Sequence, residues 1–225
     1  MLSAVIFDFD GIIVDTEPLH YKAFQEILGP LGLGYSWEEY LRRYIGFDDR
    51  DAFRAAFSAG GRVIDDRELK HAIDAKAQAF QSAVASGVEP YPGVIALIRS
   101  FAGNLPLALC SGALPSDIHP ILKQLGIDGA FNAIVTAADV KASKPDPESY
   151  AQTVSRLRAV FPENGIVPGN CLAIEDTPAG IASASGAGLK VLAVTNSYPE
   201  ESLGGAGKVV QSLVGIDIEG LRLLF

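Results

Sequence analysis

The 225 residues include only two cysteines, one methionine, one tryptophan and three histidines. Cys110 and Cys171 each sit beside an apolar run, "LPLALC" and "CLAI". Both read as small core residues of a reduced protein, which excludes a disulfide framework. His71 and His119 are too isolated to build a zinc site. Basic charge is also short: 18 lysines and arginines face 27 aspartates and glutamates, a formal balance of -9. Such a chain has no basic face for a phosphate backbone, so no nucleic-acid partner is expected. No apolar run approaches the roughly 18 residues of a membrane span, so no membrane partner is expected either. No basic leader separates Met1 from the first strand pattern, and the chain reads as cytoplasmic.

The chain does have core material, with 48% hydrophobic residues, enough for one large domain or two small ones. It opens with "AVIFDFDGIIVDTEPLH", Ala4 to His20. An apolar run, read as a strand over Ser3 to Phe9, drives straight into Asp8 and Asp10 and is released by Gly11. Aspartate is disfavoured in strands and costly to bury unpaired. Either the run ends in a polar turn or a ligand that needs negative charge sits there.

From Asp15 to Val88 the pattern turns helical. "PLHYKAFQEILGPLG" places Leu19, Ala23, Phe24, Ile27 and Leu28 on one face. "SWEEYLRRYIG" starts on Ser36 with Glu39 three residues on, a capping-box pattern, and Trp37 reads as core of this segment. "DDRELKHAIDAKAQAFQSAV" is another long helix. No strand interrupts residues 15–88, which read as a helical domain inserted into a second one made of residues 1–14 and 89–225. "EPYPGV" marks the return. After it strands and helices alternate: "LPLALC", "FNAIVTAAD", "CLAIED", "KVLAVTN" and "KVV" are strands, and "IDIEGLRLLF" closes the chain as a helix. Alternation of this kind predicts an α/β class with a parallel sheet and helices on both faces.

In such sheets ligands bind beyond the carboxyl ends of the strands. The polar residues at those ends are Asp8 and Asp10, then Ser111 and Gly112, then Glu175 and Asp176. The loop "DVKASKPDP" adds Lys144; Lys141 beside it reads as surface. Carboxylates gathered at one rim repel one another unless a cation joins them, and oxygen ligands suit Mg²⁺. A magnesium ion with a lysine and a hydroxyl nearby receives a phosphoryl group. One aspartate can attack phosphorus while the other moves the proton.

These residues carry a resemblance. "DFDGIIVDTE", Ser111, Lys144 in "SKPDP" and "IEDTPAG" resemble, in order, the four motifs of the haloacid dehalogenase superfamily of phosphotransferases. The resembling branch has a helical cap after the first strand. The resemblance covers nearly the whole chain and implies a Rossmann-like core. It makes Asp8 the nucleophile and a metal ligand. Asp10 is then the general acid and base, its backbone carbonyl on the metal. Asp176 is a metal ligand, and Glu175 a ligand or a partner of Lys144. Ser111, Gly112 and Lys144 bind the phosphoryl group.

His20, Arg50 and Lys76 in the helical segment are candidates for substrate contact. The expected activity is a Mg²⁺-dependent phosphatase of a small phosphorylated metabolite, a sugar phosphate by preference, acting as a monomer or weak dimer. The alternative resembles β-phosphoglucomutase, whose cap carries an arginine soon after the glycine matching Gly46. Here "GFDDRDAF" puts Asp48 and Asp49 first and Arg50 later. A catalytically silent phosphometabolite sensor is a third reading, but the chain keeps both aspartates.

Overall fold

A computed structural model of the chain describes residues 2–85 and 87–224, with the side chains of 222–224 left aside. Met1, Ser86 and the Phe225 end of the expected last helix lie outside it.

Six parallel strands form one sheet in the order β3-β2-β1-β4-β5-β6. They are β1 (Ala4–Phe7), β2 (Leu107–Cys110), β3 (Ala133–Val135), β4 (Cys171–Glu175), β5 (Lys190–Val194) and β6 (Lys208–Val210). β1, β2 and β4 are buried on both faces, which is why they read as unbroken apolar runs. Val5 and Phe7 point to one core layer, with α5 (Val94–Phe101) and α6 (Pro115–Gln124). Ala4 and Ile6 point to the other, with α7 (Glu148–Val160) and α8 (Pro178–Gly186). A last helix, α9 (Ile218–Leu224), follows β6. β1 is shorter than the expected Ser3 to Phe9. Asp8 N–H still bonds Ile174 at 3.0 Å, but Phe9 C=O then turns to collect the amides of Ile12, Ile13 and Val14.

Between β1 and α5 the chain is helical, as its periodicity predicts: α1 (Glu17–Leu28), α2 (Trp37–Arg43), α3 (Asp49–Ala59) and α4 (Asp66–Val84). Phe24, Leu28, Tyr40, Tyr44, Phe53 and Phe57 make an apolar cluster of their own. The end of α4 leaves that cluster, and Phe80 and Val84 join the sheet layer, where α4 packs on α6. Ser36 accepts from Glu39 N–H at 3.2 Å, half of the expected box. The reciprocal pair forms at Asp65 and Glu68, at the start of α4. Trp37 is not core: it is 38% exposed and stacks on Tyr40 at the rim of the cluster. The two connections between helical segment and sheet run side by side. Val14 bridges Pro90, and Tyr91 N–H donates to Ile13 C=O at 2.9 Å.

Candidate active site

The sheet order reverses between β1 and β4, so the ends of these neighbouring strands flank a crevice. Asp8 follows β1, while Glu175 ends β4 and Asp176 follows it. Lys144, in the loop between β3 and α7, reaches across. Its ammonium lies 2.8 Å from Asp8 Oδ1, 2.6 Å from Glu175 Oε1 and 3.2 Å from the Cys110 carbonyl. Burial opposes its charge, but Asp8 and Glu175 outweigh burial and hold its pKa well above the ordinary lysine value.

Glu175 is fully buried, and both its oxygens are taken. Oε1 accepts from Lys144 and, at 2.7 Å, from Tyr150 Oη. Oε2 accepts from Asp176 N–H at 3.2 Å and Thr177 Oγ1 at 3.4 Å. Asp176 is different. Ser197 donates to Oδ2, while Oδ1 is buried with no partner. Burial, then the charges of Asp8 and Glu175, push the Asp176 carboxyl well above the carboxylate range. Asp8 is pushed up to about 8 by burial and by Glu175, against the pull of Lys144. One oxygen each from Asp8, Glu175 and Asp176 lies within 4.8 Å of the others. Three buried carboxylates around one ammonium, with an orphaned oxygen among them, fit a divalent cation with oxygen ligands.

Two glycines let the backbone pass this close. Gly11 sits at φ +80°, and a Cβ there would fall 1.9 Å from Asp176 Oδ2. A Cβ on Gly180 would fall 2.0 Å from Glu175 Oε2.

Asp10 belongs to a second set of side chains. Its Oδ1 accepts from the Thr16 hydroxyl and lies 3.3 Å from His20 Nε2. His20 stacks on Phe80, with ring centroids 4.2 Å apart, and its Nδ1 is 2.7 Å from Lys76 Nζ. Lys76 is wholly buried and continues to Asp49 Oδ1 at 2.8 Å. Burial pushes Asp10 upward, but His20, Thr16 and Lys76 together bring it below the usual carboxylate value.

A pocket of about 60 Å³ joins the two sets and is lined by Asp8, Asp10 and Lys144 on one side and by Glu17, His20 and Asp49 on the other. Gly112 lines it too. Ser111 is buried beside it, its Oγ accepting from Ala113 N–H at 3.0 Å. Arg50 is not on this wall. Its guanidinium turns to Asp48, at 2.6 and 2.9 Å, and to the Val140 carbonyl at 3.2 Å. Its planar fork is satisfied by the carboxylate that caps its own helix.

Several residues in this arrangement escaped sequence reasoning. Thr16 occupies the N-cap position of α1, where threonine ordinarily caps, yet it makes no side-chain cap and serves Asp10. Tyr150 and Ser197 lie far along the chain from what they touch, and no local pattern marks them. Asp49 stands out in the sequence as an extra acid after Gly46, but its pairing with Lys76 does not.

Residues 5–194 match the family described as haloacid dehalogenase-like hydrolase. The chain belongs to the haloacid dehalogenase-like hydrolases. It is 31% identical over 192 residues to the fructose-1-phosphate phosphatase YqaB of Escherichia coli, covering 85% of this chain and 96% of that protein. It is 26% identical over 227 residues to the β-phosphoglucomutase of Bacillus subtilis, covering 98% of this chain and 94% of that protein. The CbbY structure from Rhodobacter sphaeroides in complex with xylulose-(1,5)bisphosphate shares the fold, with a TM-score of 0.86 at 23% identity over 98% of this chain and 99% of that one. The chain is thus an enzyme of a superfamily whose relatives here include phosphatases and a mutase, as the motifs led one to expect. Members of this family as a rule use a divalent metal, and the carboxylate cluster is consistent with one.

Proposed function

We propose that the protein is a magnesium-dependent phosphatase of a small sugar-type phosphate, working through an aspartyl-phosphate on Asp8. In this reading residues 1–14 and 89–225 are the catalytic domain and residues 15–88 a cap that closes on it. The observation that carries the reading is the division of labour between Asp8 and Asp10. Two residues apart on one turn, they face different partners: Asp8 the Lys144 ammonium, Asp10 the Thr16 hydroxyl and the His20 ring.

Asp8, Asp176 and the Asp10 carbonyl are the groups that would hold Mg²⁺, which when bound neutralises phosphoryl oxygens and the crowded carboxylates. Lys144 pairs with a further oxygen, and Ser111 and the Gly112 backbone bound the same end of the pocket. Glu175 holds Lys144 in place. In the first step an Asp8 oxygen forms a bond to phosphorus and the ester P–O bond breaks. The leaving oxygen takes a proton from the Asp10 carboxyl. In the second step Asp10, now a carboxylate, takes a proton from water. The hydroxide oxygen bonds to phosphorus, the Asp8–phosphorus bond breaks, and inorganic phosphate leaves.

The low pKa of unliganded Asp10 suits the second step. A phosphoryl dianion arriving beside it opposes its charge and favours the protonated form that the first step needs. A phosphosugar mutase uses the same carboxylates but must return the phosphoryl group to a second position of its sugar. The deciding test is release of inorganic phosphate from an aryl phosphate and from sugar monophosphates with Mg²⁺, with acid quench to trap phosphate on the protein. Interconversion of sugar phosphates without net phosphate release would favour the mutase. No labelled protein and no release would remove both readings.

A further inference from the structure

Asp49 opens α3 and lines the pocket that Asp8 faces. Its Oδ1 is taken by Lys76, but its Oδ2 is buried and without a partner. The neighbouring acids on that wall are differently placed. Asp48 accepts from Arg50 at one oxygen and from Asp51 N–H at the other. Glu17 accepts from the Tyr40 hydroxyl. Among the described residues lining this pocket, Asp49 Oδ2 is the buried side-chain oxygen that lacks a donor. A buried acceptor left in that state bears its full desolvation cost until a donor arrives.

We infer, building on the phosphatase reading, that Asp49 is a specificity residue. Its Oδ2 accepts a hydroxyl from the non-reacting end of the substrate and turns away a second phosphate. The substrate class is then the monophosphate of a polyol or sugar with a free hydroxyl opposite the reacting ester.

Three observations separate this donor from its rivals. A phosphate dianion offers no hydrogen and carries the sign of Asp49, Asp48 and Glu17. No arginine lines the pocket to offset it, and the one lysine there, Lys144, is already shared between Asp8 and Glu175. An ammonium would supply hydrogens, but the Lys76 ammonium stands 2.8 Å from the same carboxylate and repels a second cation. A neutral hydroxyl meets neither objection. The apolar neighbours Phe24 and Phe47 suit the carbon side of a sugar.

The test compares matched pairs: fructose 1-phosphate with fructose 1,6-bisphosphate, and glucose 1-phosphate with glucose 1,6-bisphosphate. For the native enzyme kcat/KM should favour the monophosphate about tenfold or more. In Asp49→Asn, which keeps the shape and removes the charge, that ratio should shrink about fivefold or more. With release from C1 alone counted, by identifying the sugar phosphate left behind, both members of a pair undergo the same chemistry, so the ratio is insensitive to a general loss of activity. Equal kcat/KM for the two members in the native enzyme, a measurement that needs no variant, would overturn the assignment. So would an unchanged ratio in a folded Asp49→Asn. A native enzyme that releases no phosphate from para-nitrophenyl phosphate with Mg²⁺ brings down the phosphatase reading itself, and this inference with it.

Discussion

Lys76 Nζ lies 2.7 Å from Nδ1 of His20, in a position with no solvent exposure. An ammonium only donates, so Nδ1 accepts and the imidazole hydrogen belongs on Nε2, facing Asp10. Lys76 thereby fixes which form of His20 faces Asp10, the residue proposed to move the proton. In Lys76→Met the ring should lose this preference, and turnover of alkyl phosphates should fall about 10 to 10²-fold. Nitrogen-15 spectra of labelled histidine would check it directly. A native His20 carrying its hydrogen on Nδ1 would contradict the assignment.

Asp8→Asn keeps the shape of the proposed nucleophile, and the amide oxygen can still accept from Lys144. It cannot attack phosphorus. Turnover should fall about 10³-fold or more while circular dichroism stays native. Near-native turnover in the variant would require direct attack by water in place of a phosphoenzyme.

The parts of this site that were legible in the sequence are those that end strands. Asp8, Ser111, Glu175 and Asp176 each follow an apolar run, and a parallel sheet brings such ends to one rim. Lys144 became legible through its motif. In the second set Asp10, His20 and Lys76 each read as candidates, but their joining into one hydrogen-bonded set was not legible. His20 and Lys76 are separated by two intervening helices, and only the packing of α4 on α1 makes them neighbours. Asp49 stands out with Asp48 as an extra acid after Gly46 that would repel a second phosphate, but the sequence did not show that Lys76 would take one of its oxygens. Arg50 was a candidate because a mutase-like cap carries an arginine soon after the glycine matching Gly46, but the sequence could not show that Asp48 and the Val140 carbonyl would claim it.

With both oxygens of Glu175 taken and Oδ1 of Asp176 without a partner, Asp176 is expected to ligate a metal and Glu175 to hold Lys144. Mg²⁺ should raise the melting temperature, by about 2.7 kcal/mol of stabilisation at a hundred times its Kd. Asp176→Asn should lose that response. Glu175→Gln should retain most of it while weakening phosphate binding through a displaced Lys144. Calorimetric melts with and without Mg²⁺ check both. An abolished response in Glu175→Gln would make it a direct ligand. Full activity in excess chelator would end the metal assignment.

Asp139 supports the loop that leads to Lys144. Burial raises its pKa, but the Arg156 guanidinium at 2.5 Å and the Thr136 amide and hydroxyl at 2.8 and 2.9 Å outweigh it and bring it below the usual carboxylate value. A depressed native pKa means that the unfolded state binds the proton more readily. The contribution is therefore present above about pH 4 and is lost as the pH falls through the native value. Asp139→Asn should cost about 1 kcal/mol at neutral pH and progressively less as the pH falls below about 4. Urea melts at neutral and at acid pH test the sign. A larger cost at the acid end would reverse it.

Access to the pocket sets the last expectation. At about 60 Å³ it is far below the roughly 300 Å³ of ordinary ligand sites, so a sugar phosphate enters only if the wall moves. Besides the packing of α4 on α6, two polar contacts hold the wall at α3. Arg50 donates to the Val140 carbonyl at 3.2 Å, and the Ser143 hydroxyl donates to Asp51, tying α3 to the loop of Lys144. The crossings at Val14 and Pro90 lie together, so a swing about them leaves the carboxylates fixed in the sheet. Arg50 does not line the pocket, so its loss should act on closure and not on chemistry. Arg50→Ala removes this tie together with the two hydrogen bonds to Asp48, and, with about 1 kcal/mol for the tie across to Val140, should raise KM about fivefold or more. The single-turnover rate at saturating substrate should change less than about threefold. Small-angle scattering should show the native protein compacting with aluminium fluoride and Mg²⁺, and the free variant more expanded than the free native. A variant with native KM and a native scattering curve would mean that closure is held elsewhere, and Ser143 with Asp51 would be the next pair to break.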